Sequence, residues 1–160
     1  INGALKLVIK KIKSSSNIIN RGEAILEFRN GIIIVKKTDL NINKIGYINI
    51  SGKIEEQKGK ETFLFTSNIN LENEKAFYSR FLVPKKNRVN LKPIKLVGKI
   101  NMKSYERNIG QATRDDQEVS SSNILKLNEK IKEILTQGSI NDTLKYSNLR
   151  KTVQSFFIVN

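Results

Sequence analysis

The 160-residue chain contains no cysteine, no histidine and no tryptophan, and only two prolines. Without cysteine there is no disulfide and no thiolate nucleophile. Without histidine the side chain that titrates near neutrality is missing, and with it Ser–His–Asp triads and Cys/His zinc sites. Catalysis would rest on carboxylates, Lys, Tyr or Ser alone, so the chain is read as a non-enzyme with no cofactor and no metal. Long apolar runs are also missing. None exceeds four residues, as at Ile32–Val35, whereas a spanning helix needs about 18 or more. No secretory leader pattern is visible. The first residue is Ile rather than Met, which predicts a segment of a longer protein.

What is present is narrow. Ile, Lys and Asn number 23, 22 and 19, together 40% of the chain. The charge is one-sided, with 29 basic against 15 acidic groups and a net of +14. Such a balance suits a polyanionic partner, either a lipid surface or nucleic acid. AT-rich codons also supply Lys, Asn and Ile, so part of the charge can reflect genomic composition. The charge is unevenly placed: residues 1–103 carry +13 and residues 104–160 only +1. With 38% hydrophobic residues, a chain of this length can bury roughly 70% of its unfolded surface, so a core is feasible.

The first two thirds alternate with period two, the pattern of strands with one apolar face. Leu5, Leu7 and Ile9 fall on one side and Lys6, Val8 and Lys10 on the other. Ser14–Asn17 reads as a turn. Glu23–Phe28 and Ile32–Val35 flank Asn30-Gly31, a hairpin signal because both turn positions need positive φ. Ile48, Ile50 and Ile54 alternate around Gly52, followed by a turn at Gln57–Lys60 and a strand over Thr62–Asn70. Ile94, Leu96, Ile100 and Met102 share one face, with Lys95, Lys99 and Lys103 opposite. Tyr105–Thr113 is the expected hairpin partner. Ile48–Ile54 and Ile94–Ile100 both read Ile-x-Ile/Leu-x-Gly-Lys-Ile. A repeated strand with an interior glycine implies a repeated close approach or kink.

Helical spacing enters at three places. Residues 73–81 carry Ala76, Phe77, Tyr78 and Phe81, with Asn73 as N-cap and Pro84 beyond the end. Residues 123–137 place Ile124, Leu127, Ile131, Ile134 and Leu135 on one stripe, with Ser122 as cap and Gly138 as stop. A last helix after Asp142 carries Leu149, Val153, Phe156 and Phe157. The predicted fold is mainly β: a long, curved antiparallel meander, as open groove or sandwich, with a short mid-chain helix and C-terminal amphipathic helices. The predicted division is a sheet segment 1–113 including the helix 73–81, a polar linker 114–122, and a helical segment 123–160.

Motifs with chemistry are few. Gly46–Lys53 has five residues between its glycines and Ile54 where a phosphate loop needs Ser or Thr, and it alternates like a strand. Asp115, Asp116 and Glu118 are clustered acids, but with Arg114 adjacent in a polar stretch they read as a solvated linker. Phe156–Val159, with Arg150 and Lys151 upstream, could meet a membrane surface but reads first as sheet packing. The loop between Pro84 and Pro93 carries Lys85, Lys86, Arg88 and Lys92, which suit phosphate contact. Aromatic interleaving for base stacking is poor there.

The Gly-x-Ile/Leu strand motifs, the segment Leu71–Phe81, the following Asn87–Asn101 and the closing helices resemble the C-terminal region of AsmA-like proteins, alphaproteobacterial versions related to the TamB group. The resemblance covers the chain from about Gly22 onward. It implies a non-enzymatic, periplasmic segment, attached to the inner membrane through a region outside this sequence, that conducts phospholipid between the inner and outer membranes along a curved apolar β-groove. Phospholipid or a membrane surface, and other envelope proteins, are the implied partners. Leu5, Leu7, Ile9, Ile48, Ile50, Ile54, Ile94, Leu96, Ile100 and Met102 are the groove candidates. Lys85, Lys86, Arg88 and Lys92 are the candidates for anionic headgroups. The same alternation fits two other readings, a basic β-domain that binds nucleic acid and a scaffolding module with no small ligand.

Overall fold

The computed structural model describes residues 2–11 and 18–136. Within them the chain forms one eight-stranded antiparallel sheet whose strands follow one another in sequence order. The strands are β1 (Gly3–Ile9), β2 (Ile19–Arg29), β3 (Ile32–Ile42), β4 (Gly46–Gln57), β5 (Lys60–Leu71), β6 (Ile94–Asn101), β7 (Arg107–Arg114) and β8 (Gln117–Glu118). α1 (Glu74–Arg80) lies between β5 and β6, and α2 (Ser121–Thr136) follows β8. The sheet does not close on itself and no second described sheet packs on it, so the sandwich alternative is set aside. The expected turn at Ser14–Asn17, the stop at Gly138, the helix after Asp142 and the Phe156–Val159 patch lie outside the described residues.

The hairpin turns follow from their chemistry. Asn30-Gly31 and Lys58-Gly59 both place two consecutive residues at positive φ, between 49° and 81°. That geometry matches the right-handed twist of the flanking strands. Asp115 and Asp116 do the same, at 53° and 61°, and turn β7 into the two-residue β8. The stretch expected as a linker therefore begins with a tight hairpin and runs directly into α2. Asp tolerates the left-handed region because its short polar side chain bonds locally. Asp115 is held further by its N–H on the Pro93 carbonyl, 3.0 Å, and by an ion pair with Lys92, 2.9 Å.

β3 runs farther than its alternation suggests. Lys36 is an extra residue: Val35 faces Leu26 and Gly52, while Lys37 faces Ile25 and Thr38 faces Ile50. This bulge restores the register, so Val35, Leu40 and Ile42 share one side of the sheet. A second irregularity, between Val97 and Gly98, leaves Gly110 of β7 unpaired.

The sequence repeat has a structural meaning. β4 and β6 flank β5 in register: Ile48, Ile69 and Ile94 form one row, Ile50, Ser67 and Leu96 the next, then Gly52, Phe65 and Gly98, then Ile54, Phe63 and Ile100. The glycines make room for the β5 aromatics. A Cβ at Gly98 would lie 3.0 Å from the Phe65 ring and 2.5 Å from the Asn108 carbonyl. At Gly52 it would lie 2.9 Å from the Phe63 ring and 2.0 Å from the Leu64 carbonyl. The two rings stand 5.8 Å apart, and their apolar area covers the bare backbone on either side.

The core sits at one end of this face. α1 and the segment leading to β6 fold over it, burying Phe77, Tyr78, Phe81, Val83 and Leu91 against Ile42, Ile45 and Ile94. Asn73 caps α1, its side-chain oxygen accepting from the Ala76 N–H at 2.9 Å. The Ile45 carbonyl accepts from the N–H groups of Glu72 and Asn73. Each buried side chain of this size contributes roughly 1.5–3 kcal/mol. At the far edge α2 starts two residues earlier than expected, and Ser120 rather than Ser122 caps it. The Ser120 hydroxyl accepts from the Asn123 N–H at 3.4 Å, and its carbonyl accepts from Ile124 at 3.0 Å.

Candidate functional site

Cross-strand partners in an antiparallel ladder lie on the same face, so the register sorts every side chain. One face carries Leu5, Leu7 and Ile9 of β1, and Ala24, Leu26 and Phe28 of β2. It continues through Ile33, Val35, Leu40 and Ile42 of β3. It takes in Ile48, Ile50 and Ile54 of β4, Phe63, Phe65 and Ile69 of β5, and Ile94, Leu96 and Ile100 of β6. Met102 stands just past β6 in a turn, its N–H on the Glu61 carbonyl at 2.9 Å. Nine of the ten sequence-predicted groove residues thus fall on one side of a single sheet, and Met102 lies beyond its strands. Leu26, Phe28, Ile33, Phe63 and Phe65 join them and were missed only because β2, β3 and β5 were not extended into the set.

Cover over this face is graded. Ile94 is 3% exposed beneath α1. Ile48, Ile50, Ile54, Leu96, Ile100 and Met102 are half-buried. Leu5, Leu7 and Ile9, at the β1 edge, are 44–49% exposed. Apolar area of this extent left in water is unfavourable by about 25 cal/mol per Å², and its contiguity marks a surface suited to an apolar occupant.

The opposite face carries the charged and amide side chains, together with Val8, Ile25, Ile34, Leu64 and Val97. Lys6 pairs with Glu23 at 3.0 Å, Lys37 with Asp39 at 2.7 Å and Lys53 with Glu55 at 2.6 Å. Glu27 is held by Arg29 at 2.9 Å and by Lys36. The hydrogen bond from Lys36, with the charge of Arg29, lowers the Glu27 pKa. The bond from Lys53 lowers that of Glu55, and the bond to Asp39 raises that of Lys37. Asp39 also accepts from the Asn49 amide. Two open depressions, of about 630 and 650 Å³, lie on this side. The first holds charges of both signs, from Arg21, Lys37, Glu23 and Asp39, and the second is rimmed by Lys58, Lys60, Lys99 and Glu106.

The basic loop divides into two roles. Lys85 and Lys86 are exposed on a short 3-10 turn, Lys85–Asn87. Arg88 is exposed too but lies back along the loop: its guanidinium is 5.2 Å from the centre of the Tyr78 ring, and its Nε donates to the Val83 carbonyl at 3.2 Å. Lys92 is committed to Asp115. Loop and helix are tied by Tyr78, whose hydroxyl donates to the Val89 carbonyl and accepts from the Val89 N–H at 3.0 Å. The Glu74 carboxylate takes the Leu91 N–H at 2.8 Å. Among the described residues no cluster of acids has metal-ligand geometry, and no helix is long and apolar enough to cross a membrane. No family model, no curated protein and no solved structure matches the chain.

Proposed function

We propose that this chain is a non-enzymatic segment of an AsmA-like envelope protein that carries phospholipid along the apolar face of its sheet. One observation carries the reading: apolar side chains of six successive strands gather on one side of an open sheet, and the ion pairs between strand residues lie on the other. Acyl chains offer no hydrogen-bonding groups, so a continuous non-directional lining is what they require. The exposed lysines 85 and 86 sit at the end of the sheet where α1 caps the apolar face, and each would contribute about 1 kcal/mol against an anionic headgroup surface. On this reading the chain works in the periplasm, joined to the inner membrane by a region outside this sequence. Nucleic acid is the weaker partner, because Lys6, Lys36, Lys37 and Lys53 already face carboxylates, which leaves fewer unpaired cations on that face for phosphates.

The test is photolabelling with a phospholipid bearing a diazirine on its acyl chain, mixed with the intact chain and read by peptide mass spectrometry. Labelling is expected on the face of Leu7, Ile50, Ile54 and Phe63, with phospholipid also recovered from the purified protein. Equal labelling of both faces, together with no recovered lipid, overturns the proposal. Binding to DNA or RNA that is retained at low salt and lost at high salt would instead support the nucleic-acid reading.

A further inference from the structure

The depression of about 650 Å³ lies on the face opposite the apolar one, over the ends of β4, β5, β6 and β7 that are distal to α1. Register sets its plan. Gln57 stands opposite Lys60, Thr62 opposite Asn101, and Lys99 opposite Asn108. Lys60 and Lys99 are therefore four residue steps apart along the strands, about 13 Å at the usual rise. Thr62 and Asn101 form the floor between them. The long lysine stems let both ammonium groups reach over that floor. Lys58 adds a third from the β4–β5 turn, where φ values of 53° at Lys58 and 72° at Gly59 fix the backbone. The outer wall is also held. Asn128 of α2 accepts from the Ile109 N–H at 2.8 Å, and its amide donates to the Ile109 carbonyl at 2.9 Å, which anchors β7 beside Asn108.

The cations here are uncompensated. Elsewhere on this face Lys6, Lys37 and Lys53 meet carboxylates at 2.6–3.0 Å. Lys58, Lys60 and Lys99 make no ion pair among the described residues. Glu55, on the same face of β4, is already taken by Lys53 and by the Gln57 amide at 3.3 Å. Glu106 is the one acid lining the depression, so three ammonium groups leave a surplus of two. A neutral donor joins them. The Asn101 side-chain oxygen accepts from the N–H groups of Lys103 and Ser104, both at 2.9 Å. That fixes the carboxamide and leaves its NH2 group to donate. Every lining residue is polar or charged, and none is aromatic.

We propose that this depression binds a small, soluble compound bearing more than one phosphate group. Lysine ammonium groups hold phosphate as point charges, and each bond is charge-assisted. Lys58, Lys60 and Lys99 take the phosphate oxygens, and the Asn101 NH2 group donates to the same anion from the floor. A phospholipid fits less well, because its acyl chains meet no apolar lining here and the sheet separates this site from the apolar face. A nucleic-acid strand fits less well too, because the depression offers no ring on which a base could stack. The inference does not rest on lipid carriage by the opposite face.

The probe is inorganic tripolyphosphate, titrated into the isotopically labelled full chain and followed by NMR. At about 0.15 M salt the Debye length is about 8 Å, which screens charge outside the depression. Saturable shifts are expected at the amides of Lys58, Lys60 and Lys99 and at the Asn101 side-chain NH2. Lys60→Gln combined with Lys99→Gln should weaken binding about tenfold or more. Glu106→Gln should tighten it about threefold, because it removes a like charge from the rim. Lys85→Gln combined with Lys86→Gln removes two exposed lysines at the other end of the sheet and should leave the affinity unchanged. All five positions are exposed, so each variant should keep the parent spectrum away from its own site. Equal losses from the two lysine pairs overturn the proposal, because binding then follows net charge alone. Shifts that do not saturate overturn it as well. Vesicles of phosphatidylglycerol, or single-stranded DNA, that bind through Lys60 and Lys99 while tripolyphosphate does not would overturn it in favour of a lipid surface or a nucleic acid. Acyl-chain labelling of the apolar face is read separately, so failure of either reading leaves the other standing.

Discussion

Leu82 is the residue most at odds with its own chemistry. α1 ends in a Schellman arrangement: the Val83 N–H reaches the Tyr78 carbonyl at 3.0 Å and the Leu82 N–H reaches that of Ser79 at 3.3 Å. This closure needs a left-handed residue just past the helix, normally glycine. Here the position belongs to a leucine at φ 50° that is 57% exposed. Holding a non-glycine residue there costs roughly 1–2 kcal/mol, and its side chain recovers little from burial. Leu82→Gly should therefore stabilise the chain by about 0.5–1 kcal/mol after glycine's greater freedom in the unfolded state is subtracted. A higher urea midpoint checks it, and a lower one would mean that the leucine side chain makes a stabilising contact. Tyr78 makes the second residue-scale prediction. Burial raises its pKa from the ordinary 10.0, ahead of the opposing hydrogen bond with Val89. Folding therefore favours the neutral phenol. This contribution is complete below pH 10 and is lost as pH rises through the folded-state value. Tyr78→Phe should lower stability by about 1 kcal/mol at neutral pH through the lost hydrogen bond. It should also lose less stability than the parent as pH rises above 10, as measured by chemical denaturation at each pH.

Among the elements, α2 has the most specific role, and Asn128 carries it. Replacing Asn128 with alanine leaves the Ile109 N–H and carbonyl without partners at the sheet edge. The expected cost is about 1–2 kcal/mol, with faster amide exchange at Ile109 and little change at Val97 on the neighbouring strand. Unchanged exchange at Ile109 would mean that water or another group seals the edge equally well. This role could not be read from the sequence, because Asn128 sits on a helix as an ordinary polar residue and its partner lies nineteen positions away. Much else could be read. Period-two alternation placed the apolar face of β1, β4 and β6, because a strand offers each side chain only two directions. Asn30-Gly31 and the Asn73 cap were readable because each satisfies a local backbone requirement. The full length of β3 was hidden by its bulge, where Lys36 and Lys37 look like the end of a strand. The β8 hairpin was hidden because Asp-Asp reads as solvated charge rather than as a turn. The basic loop was half readable: Lys85 and Lys86 are exposed as expected, while Arg88 and Lys92 are engaged at the surface by Tyr78 and Asp115, distant neighbours that spacing alone does not supply.

At the scale of the whole molecule, each described strand pairs only with the strands before and after it in sequence, so the sheet is quasi-one-dimensional. In such a structure stability is close to a sum of nearest-neighbour interfaces, and separate parts can open independently. The interfaces here are unequal. β4, β5 and β6 share the interlocked rows around Phe63 and Phe65 and the core beneath α1, whereas among the described residues β1 has one neighbour and no cover. Amide exchange should therefore be graded. Protection should be greatest for β4–β6, intermediate for β2, β3 and β7, and least for β1, which frays without the rest unfolding. Below pH 4.5 the gradient should steepen toward β2. Glu27 has a lowered pKa set by Lys36 and Arg29, so its contribution is present above the ordinary carboxylate value and is lost as pH falls through its own. Exchange followed by mass spectrometry at neutral pH and at pH 3.5 reads both effects. One uniform protection factor from β1 to β7 would mean that the sheet opens only as a whole. A graded profile would mean that β1 opens while the β4–β6 rows hold the apolar face in register.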